Sequence, residues 1–435
     1  MIYFLAFVYF LVFIYGIKGF RCILNPITLF AIGLLLSMIV CIANYNEWDL
    51  KSFHLNTFSI LLFSAISFVI GCLFIHYRYK RIKGTKDLSY LNFSLSKKWL
   101  IVYLIFSSAV VLYSFKYLIG TTGATNISEA AYINYRSNFV EGDSSLYMLP
   151  MIPRLLKSTV FYLNFYFCFI LANKLANGEP LKNTILLILI CIVSTLGGLT
   201  TGSRGSVFET VIYFIILYVF FKSRMNGFRN KINLKQLLKA SILCLLFLFL
   251  FFKSGTLVGR DTSENDDILS YLSAYVGAQP KNLDLFMNES HFVHNIPGSH
   301  TFKYIYSIFV PIEPVYELSM FRFVNEYPLG NVYTGFANYY LDFGILGTIV
   351  FCFFLGAFFQ YLFECSIKKT DLKKQYFSFK VFLYAYFAVG LLLNFFGERI
   401  GNLVSPNTLK CIVTIFVFDF IVRKFTKKSI TNITI

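Results

Sequence analysis

Long runs of apolar residues, separated by short polar segments, recur along the whole chain. A helix needs roughly 20 apolar residues to cross the hydrocarbon core of a bilayer, because it rises only about 1.5 Å per residue. Eleven runs approach this length, at residues 2–17, 27–43, 58–75, 99–119, 155–172, 184–199, 207–221, 237–252, 334–363, 377–396 and 408–422. The pattern predicts an all-α polytopic integral membrane protein with about eleven transmembrane helices, in a range of ten to twelve.

The basic residues concentrate in alternate connections between these runs. With eleven spans, 26 of the 39 Lys and Arg residues lie in segments on one side, and the largest clusters are residues 78–98, 222–239, 364–380 and 423–428. Since such loops are typical of the cytoplasmic side, we expect an external N-terminus and a cytoplasmic C-terminus. The net charge of +17 then indicates contact with anionic membrane lipids rather than with nucleic acid.

Two connections on the opposite side are longer than a simple turn. Residues 120–153 form a medium loop, and residues 253–333 form a loop of about eighty residues, a length that is uncommon unless it serves a function. Aromatic and apolar stretches in the long loop predict short amphipathic helices on the outer membrane surface. We therefore expect one membrane-embedded domain, residues 1–435, with both loops extracytoplasmic.

Composition and motifs exclude several classes of protein. The hydrophobic fraction of 57% and the charged fraction of 14% are outside the range of soluble domains. No P-loop, nicotinamide fingerprint, HExxH or GxSxG motif is present, so nucleotide-driven chemistry is unsupported. His291 and His294 have no third ligand at suitable spacing, so no metal site is expected.

A polar turn precedes the predicted span 207–221, and it contains Gly202, Ser203 and Arg204. The N-terminus of a helix favours anions, because its backbone N–H groups are free and its dipole is positive there. Arg204 adds a planar fork that matches phosphate oxygens. This turn is a candidate anion site; the alternative is an ordinary turn whose arginine contacts lipid phosphate.

A second polar cluster lies at the start of the predicted span 334–363. Its members are Tyr333, Asn338, Tyr339, Tyr340 and Asp342. Tyrosines are common at the membrane interface, but aromatic faces also stack on sugar rings. A carboxylate facing lipid is costly, so we expect Asp342 to face the protein interior. The cluster is a candidate substrate-binding segment.

Other candidates lie in the two long loops. Arg260 and Asp261 follow the span 237–252, where the carboxylate could be a general base or half of a surface ion pair. His300 and Glu313 are alternative bases. Arg136, in the medium loop, is a candidate for substrate binding or for an ordinary surface position.

The chain resembles the Wzy-type O-antigen polymerases and the wider family of oligosaccharide repeat unit polymerases. The resemblance rests on the architecture and on Thr201-Gly202-Ser203-Arg204-Gly205, the run from Tyr333 to Gly347, and Asn25-Pro26. One departure concerns an Arg-x10-Gly loop motif of some members. Eleven residues after Arg136 this chain has Tyr147 instead of glycine.

The resemblance implies a glycosyltransferase of the bacterial cytoplasmic membrane. It would join undecaprenyl-pyrophosphate-linked repeat units into O-antigen, capsule or exopolysaccharide on the outer side, with lipid pyrophosphate as leaving group and without metal, nucleotide or other cofactor. A chain-length regulator is an implied partner. Arg204 and Arg260 would contact pyrophosphate, and Asp261, His300 or Glu313 would be the base. The alternatives are an O-antigen ligase, which shares the layout, and a flippase or transporter, which the long loop disfavours.

Overall fold

A computed structural model of the chain describes residues 1–20, 22–79, 95–139, 147–201, 205–225, 228, 268–289, 296–310, 318, 320–367 and 377–431. Its α-helices are α1 (Ile2–Phe20), α2 (Pro26–Ala43), α3 (Leu55–Tyr79), α4 (Lys97–Thr122), α5 (Ile127–Phe139), α6 (Met151–Ala176), α7 (Leu181–Leu196), α8 (Gly205–Met225), α9 (Ile268–Gly277), α10 (Gln279–Met287), α11 (Lys303–Tyr306), α12 (Phe336–Ser366), α13 (Phe379–Leu392) and α14 (Pro406–Thr431). Short 3-10 turns cover Leu50–Ser52, Gly197–Thr201, Leu393–Phe395 and Gly401–Val404. Strands β1 (Arg322–Val324) and β2 (Tyr327–Gly330) form an antiparallel hairpin.

The predicted spans coincide with the long helices. Ten of the eleven match α1–α4, α6–α8 and α12–α14, and the remaining one, residues 237–252, lies outside the described residues. Within the described part, eight helices are long and apolar enough to cross a membrane. The prediction of an all-α polytopic membrane protein is therefore confirmed.

Successive long helices run between two ends of one bundle. One end, here the loop end, holds residues 44–54, 197–201, 268–289, 296–306 and 393–405, where His54 N donates to Asp284 and Asn134 Nδ2 donates to Thr200 O. The other, the basic end, holds residues 76–79, 174–182, 364–367 and 423–424. There His76 Nδ1 lies 2.7 Å from Glu364 Oε1 and Arg423 donates to Phe377 O. The described basic segments thus share one end, as the charge pattern predicts.

Close packing of α3 against α12 forms the centre of this bundle. A Cβ at Gly71 would overlap the carbonyl oxygen of Phe353, and a Cβ at Gly356 would overlap that of Phe68. Cys72 Sγ also donates to Gly356 O at 3.3 Å. Small residues let helix backbones approach each other where no hydrophobic effect drives association between spans. The two glycines therefore determine how closely α3 and α12 can pack.

Gly356→Ala is expected to destabilise the protein by about 1–3 kcal/mol, because the added methyl group forces these helices apart. The measurement is the melting temperature of purified protein in detergent. Gly120→Ala is the matched control, since Gly120 lies on α4 with no atom within 4 Å of an added Cβ. Equal melting temperatures for Gly356→Ala and wild type would contradict the packing argument.

One helix of the long loop differs from the expected amphipathic surface helix. Of the nine residues of α10, all but Leu285 are buried, and the helix packs against α2, α3 and α12. Its polar side chains have buried partners: Gln279 accepts from Ser37 Oγ, and Lys281 Nζ donates to Asp49 O. Burial of these polar groups is tolerated because they are hydrogen-bonded. The local sequence pattern could not predict this, because the hydrogen-bond partners lie more than 200 residues away.

Candidate functional site

Two neighbouring cavities lie at the loop end. The first, the Arg154 cavity, has a volume of about 380 Å³ and is lined by Ser114, Tyr117, Leu118, Asn134, Tyr147, Met148, Leu149, Arg154, Lys157, Ser158, Phe161, Tyr162, Gly197, Gly198, Thr200, Ser206 and Asn407. The second, the Glu209 cavity, has about 340 Å³ and is lined by Phe161, Tyr162, Phe165, Gly205, Ser206, Glu209, Tyr304, Tyr386, Val389, Gly390, Leu393, Arg399, Asn402, Leu403, Ser405, Asn407 and Thr408. The four residues common to both cavities are Phe161, Tyr162, Ser206 and Asn407.

Helix α6 supplies the basic side chains of the first cavity. Arg154 and Lys157 are three residues apart, so they project from one face near the start of the helix. The Arg154 guanidinium contacts Met148 Sδ at 3.0 Å. Neither side chain forms an ion pair with any described carboxylate, whereas Arg322 and Arg399 each do. An arginine and a lysine without carboxylate partners make this cavity suited to an anion.

The start of α8 forms the wall between the cavities. Ser206 lines both, and its buried Oγ has no hydrogen-bond partner within the described residues. Thr200 lines the Arg154 cavity on the other side of the predicted anion turn. Gly202, Ser203 and Arg204 themselves lie outside the described residues. Because the chain lines this cavity just before and just after them, they remain candidates for the same site.

The second cavity is lined by an ion pair. Arg399 Nη1 lies 3.0 Å from Glu209 Oε1, and both side chains are partly exposed to the cavity. Neither residue was a candidate from sequence. One signal was present, because Glu209 is a carboxylate inside the apolar run 207–221, where an ionisable group is expensive and usually functional.

The segment 393–405 separates the second cavity from the start of α12. On its cavity side it contributes Leu393 and Arg399. On its other side, Asn394 O accepts from Gly335 N at 2.8 Å, and Asn394 Oδ1 accepts from the Tyr339 hydroxyl at 2.7 Å. The starts of α8 and α12 therefore flank one wall. No residue of α12 lines either cavity, so the polar cluster at the start of α12 does not share a cavity with the start of α8.

The wall also holds a buried carboxylate. Glu398 Oε1 accepts from Gly401 N at 2.6 Å. Burial raises the pKa of Glu398 to about 7, although the hydrogen bonds from Gly401 and Ile400 act in the opposite direction. Glu398 does not line either cavity. Its contact with Gly401 indicates that it shapes the turn that presents Arg399.

The predicted substrate-binding residues of α12 form a separate buried cluster. Asp342 faces the protein interior, as expected, and its two oxygens accept from His300 N at 2.9 Å and Thr301 N at 2.6 Å. Asn338 Nδ2 donates to His300 O at 3.5 Å. Burial lowers the pKa of His300, and the charge of Asp342 acts in the opposite direction. These contacts tie the loop at residues 299–301 to the start of α12.

The tyrosines of this segment also lie away from the cavities. Tyr339 is fully buried and packs against Phe336 and Phe351. Tyr333 is buried and accepts from Arg322 Nε, while Tyr340 is half-buried. None of them lines either cavity. Their role in sugar binding remains a prediction.

The other predicted site residues are not described. Arg260, Asp261 and Glu313 lie outside the described residues, as do His291 and His294. Arg136 lies on α5, but only its backbone is described. Two residues earlier on the same helix, Asn134 lines the Arg154 cavity and donates to Thr200 O at 2.8 Å. The described part of the chain contains no cluster of three His, Cys, Asp or Glu that could hold a metal ion.

An apolar groove lies on the far side of the Gly197–Thr201 turn. It has a volume of about 490 Å³ and is lined by Cys168, Leu171, Leu175, Ile188, Cys191, Ile192, Thr195, Leu196, Leu199, Val207, Phe208, Thr210, Val211 and Phe214. Leu199 and Val207 face this groove, whereas their neighbours Thr200 and Ser206 face the Arg154 cavity. A basic cavity and an apolar groove are therefore separated by one thin layer of chain.

Comparisons with known proteins identify the family. No curated protein and no solved structure matches the chain. The family model described as O-antigen polysaccharide polymerase Wzy matches residues 1–428, which include α1 to α13 and all but the last three residues of α14. The chain therefore belongs to the O-antigen polysaccharide polymerase Wzy family, multi-pass membrane proteins that polymerise repeat units into polysaccharide.

Proposed function

We propose that this protein is a glycosyltransferase that joins undecaprenyl-pyrophosphate-linked oligosaccharide repeat units, with the Arg154 cavity as the pyrophosphate site. The observation that carries the proposal is the pair Arg154 and Lys157. Both line a cavity at the loop end, and neither has a carboxylate partner among the described residues. A ligand with several phosphate oxygens supplies the negative charge that this pair lacks.

The chemistry needs positive charge at this position. When the bond between the donor sugar and pyrophosphate breaks, negative charge develops on the leaving oxygen, and fixed cations that face it stabilise the transition state. Arg204 is proposed to complete the site, since Thr200 and Ser206 line the same cavity. Arg260 retains its proposed role at pyrophosphate from the sequence resemblance. No metal or nucleotide is needed, because the leaving group is already activated.

The apolar groove suits the other half of such a donor. A polyprenyl chain is a long hydrocarbon that gains free energy by leaving water and by close packing. The groove is almost wholly apolar and lies one layer of chain away from the Arg154 cavity. We therefore assign the isoprenoid tail of the donor to this groove, where it would stay in contact with lipid.

We infer that the loop end faces away from the cytoplasm. The described basic end carries Arg78, Lys174, Lys182, Arg423 and Lys424, as expected for cytoplasmic segments. Residues 120–153 and 253–333 would then be extracytoplasmic, and the reaction would take place at the outer leaflet. Reporter fusions that place residues 253–333 in the cytoplasm would contradict this orientation.

The test is reconstitution of the purified protein in vesicles with repeat units linked to polyprenyl pyrophosphate. The expected result is a ladder of carrier-linked polymer, with one polyprenyl pyrophosphate released for each bond formed. Omitting metal ions and nucleotides should not change the rate.

The same assay separates the alternatives. A ligase would form no ladder and would transfer glycan only when a lipid-core acceptor is added. A flippase would move the substrate across the vesicle membrane without forming bonds. Adding a chain-length regulator should change the distribution of polymer lengths but is not expected to be required for bond formation.

A further inference from the structure

We propose that the carboxylate of Glu209 is the catalytic base of the polymerase and that Arg399 is its positioning residue, so that the Glu209 cavity binds the terminal sugar of the acceptor. The inference rests on the proposed function, because it assigns the second substrate to the second cavity. It differs from the bases that sequence reasoning suggested.

Glu209 lies close to the Arg154 cavity. Among the described residues that line either cavity, Glu209 is the one carboxylate. It follows Ser206 by three residues on α8, so both side chains lie on one helix face, about 4.5 Å apart along the axis. Ser206 is common to both cavities. The carboxylate therefore lies next to the wall where a donor and an acceptor would meet.

The ion pair leaves one oxygen of Glu209 available. Arg399 Nη1 holds Oε1 at 3.0 Å, and Oε2 has no hydrogen bond within the described part of the chain. The guanidinium therefore fixes the orientation of the carboxylate, and Oε2 can accept a hydrogen bond from a hydroxyl in the cavity. A general base needs this geometry, with a free lone pair within hydrogen-bond reach of the proton it removes.

The reaction balances with the groups present. The acceptor hydroxyl oxygen attacks the anomeric carbon of the donor, and its proton passes to Glu209 Oε2. The bond from that carbon to the pyrophosphate oxygen breaks, and its electron pair leaves with lipid pyrophosphate, whose charge Arg154 and Lys157 stabilise. Glu209 then releases the proton to solvent through the open cavity.

Other groups near the cavities fit the role less well. Tyr304 and Tyr386 line the Glu209 cavity, but a neutral phenol is a weak base. His300 is buried in the cluster with Asp342 and lines neither cavity. Glu398 lies behind the wall and accepts from the backbone of Gly401.

The test compares Glu209→Gln with wild type in the vesicle assay. The amide keeps the side-chain shape and an oxygen for Arg399 but cannot take the proton. The expected result is a kcat lower by about 10²–10⁴-fold, with KM for the donor within about threefold of wild type. Glu209→Asp should restore part of kcat. The acidic limb of the kcat–pH profile should disappear in Glu209→Gln.

Arg399 supplies a second, independent readout. Arg399→Ala should lower kcat in wild type but not in Glu209→Gln, because a positioning residue has no effect once the group it positions is inactive. Arg399→Lys should recover part of the loss. Glu364→Gln is the matched control with unchanged kcat, since Glu364 is also paired on a helix, with His76, but at the basic end.

Two outcomes would overturn the proposal. One is a wild-type kcat and pH profile in Glu209→Gln. The other is a raised KM with unchanged kcat, which would make Glu209 a binding residue only. If Glu209→Gln does not accumulate in the membrane, Glu209→Asp replaces it, and a wild-type kcat in that variant would equally overturn the proposal, because the shorter side chain withdraws the carboxylate from the acceptor hydroxyl. Failure of the proposed function looks different, because wild-type protein would then form no carrier-linked ladder.

Discussion

Replacing Arg154 and Lys157 together with alanine is expected to abolish polymer formation, with a loss of rate of about 100-fold or more and normal amounts of protein in the membrane. The two cations are proposed to face the leaving pyrophosphate, where the loss of one fixed group that stabilises the developing charge slows the reaction by about 10²–10³-fold. The single variant Arg154→Lys should also have a low rate of polymer formation, because a lysine cannot present the planar fork that matches phosphate oxygens. The measurement is the initial rate of ladder formation in vesicles.

The control for charge is Lys116→Ala. Lys116 is an exposed cation near the loop end of α4, next to the cavity residue Tyr117, but it does not line the cavity. The Lys116→Ala protein should form the ladder at the wild-type rate. The sequence makes the same prediction of lost polymer for Arg204→Ala and Arg260→Ala. Wild-type polymer from the Arg154→Ala/Lys157→Ala protein would eliminate the Arg154 cavity as the pyrophosphate site.

Asp342→Ala is expected to produce the largest loss of stability, about 2–6 kcal/mol. The buried carboxylate accepts from the backbone N–H groups of His300 and Thr301. Removing it leaves two buried donors without partners, at about 1–3 kcal/mol each. The stability of Asp342→Asn should lie between that of Asp342→Ala and that of wild type, because the amide retains one acceptor oxygen. The measurement is thermal unfolding of the purified protein in detergent.

The comparison variant for Asp342 is Glu47→Ala, which removes an exposed carboxylate at the same end of the bundle. The melting temperature of Glu47→Ala should equal that of wild type. Activity of Asp342→Ala should fall only in proportion to the folded fraction, unlike that of Glu209→Gln. A melting temperature equal to that of wild type would show that the contacts with His300 and Thr301 do not stabilise the loop.

The spans were predictable because their signal is local. A run such as 27–43 or 58–75 must be apolar over its whole length to cross a bilayer, and no distant partner can replace that requirement. The location of the basic segments at one end of the bundle could also be predicted, because it depends only on the number of spans between them. The sequence also indicated that Asp342 faces the interior, since exposure to lipid would be too costly.

The contacts within the loops were not predictable in the same way. The tight turn of the β1–β2 hairpin consists of Asn325 and Glu326, and both residues have positive φ. The turn lacks the glycine that usually marks such a position in a sequence. The pairing of Glu209 with Arg399 joins residues 190 apart in sequence. The burial of the polar helix α10 could not be predicted, because its hydrogen-bond partners lie far away along the chain. Each of these features depends on tertiary contacts rather than on residue spacing.

The burial of α10 also bears on biogenesis. Its hydrogen bonds reach Ser37, Asp49 and His54, which precede their partners by 242, 232 and 230 residues. The ribosome therefore completes this receiving surface long before α10 emerges. The helix joins spans that are already inserted, whereas α12, which also packs against it, is synthesised afterwards. Damage to residues 49–54 would then appear as failed docking of α10, far downstream of the altered codons.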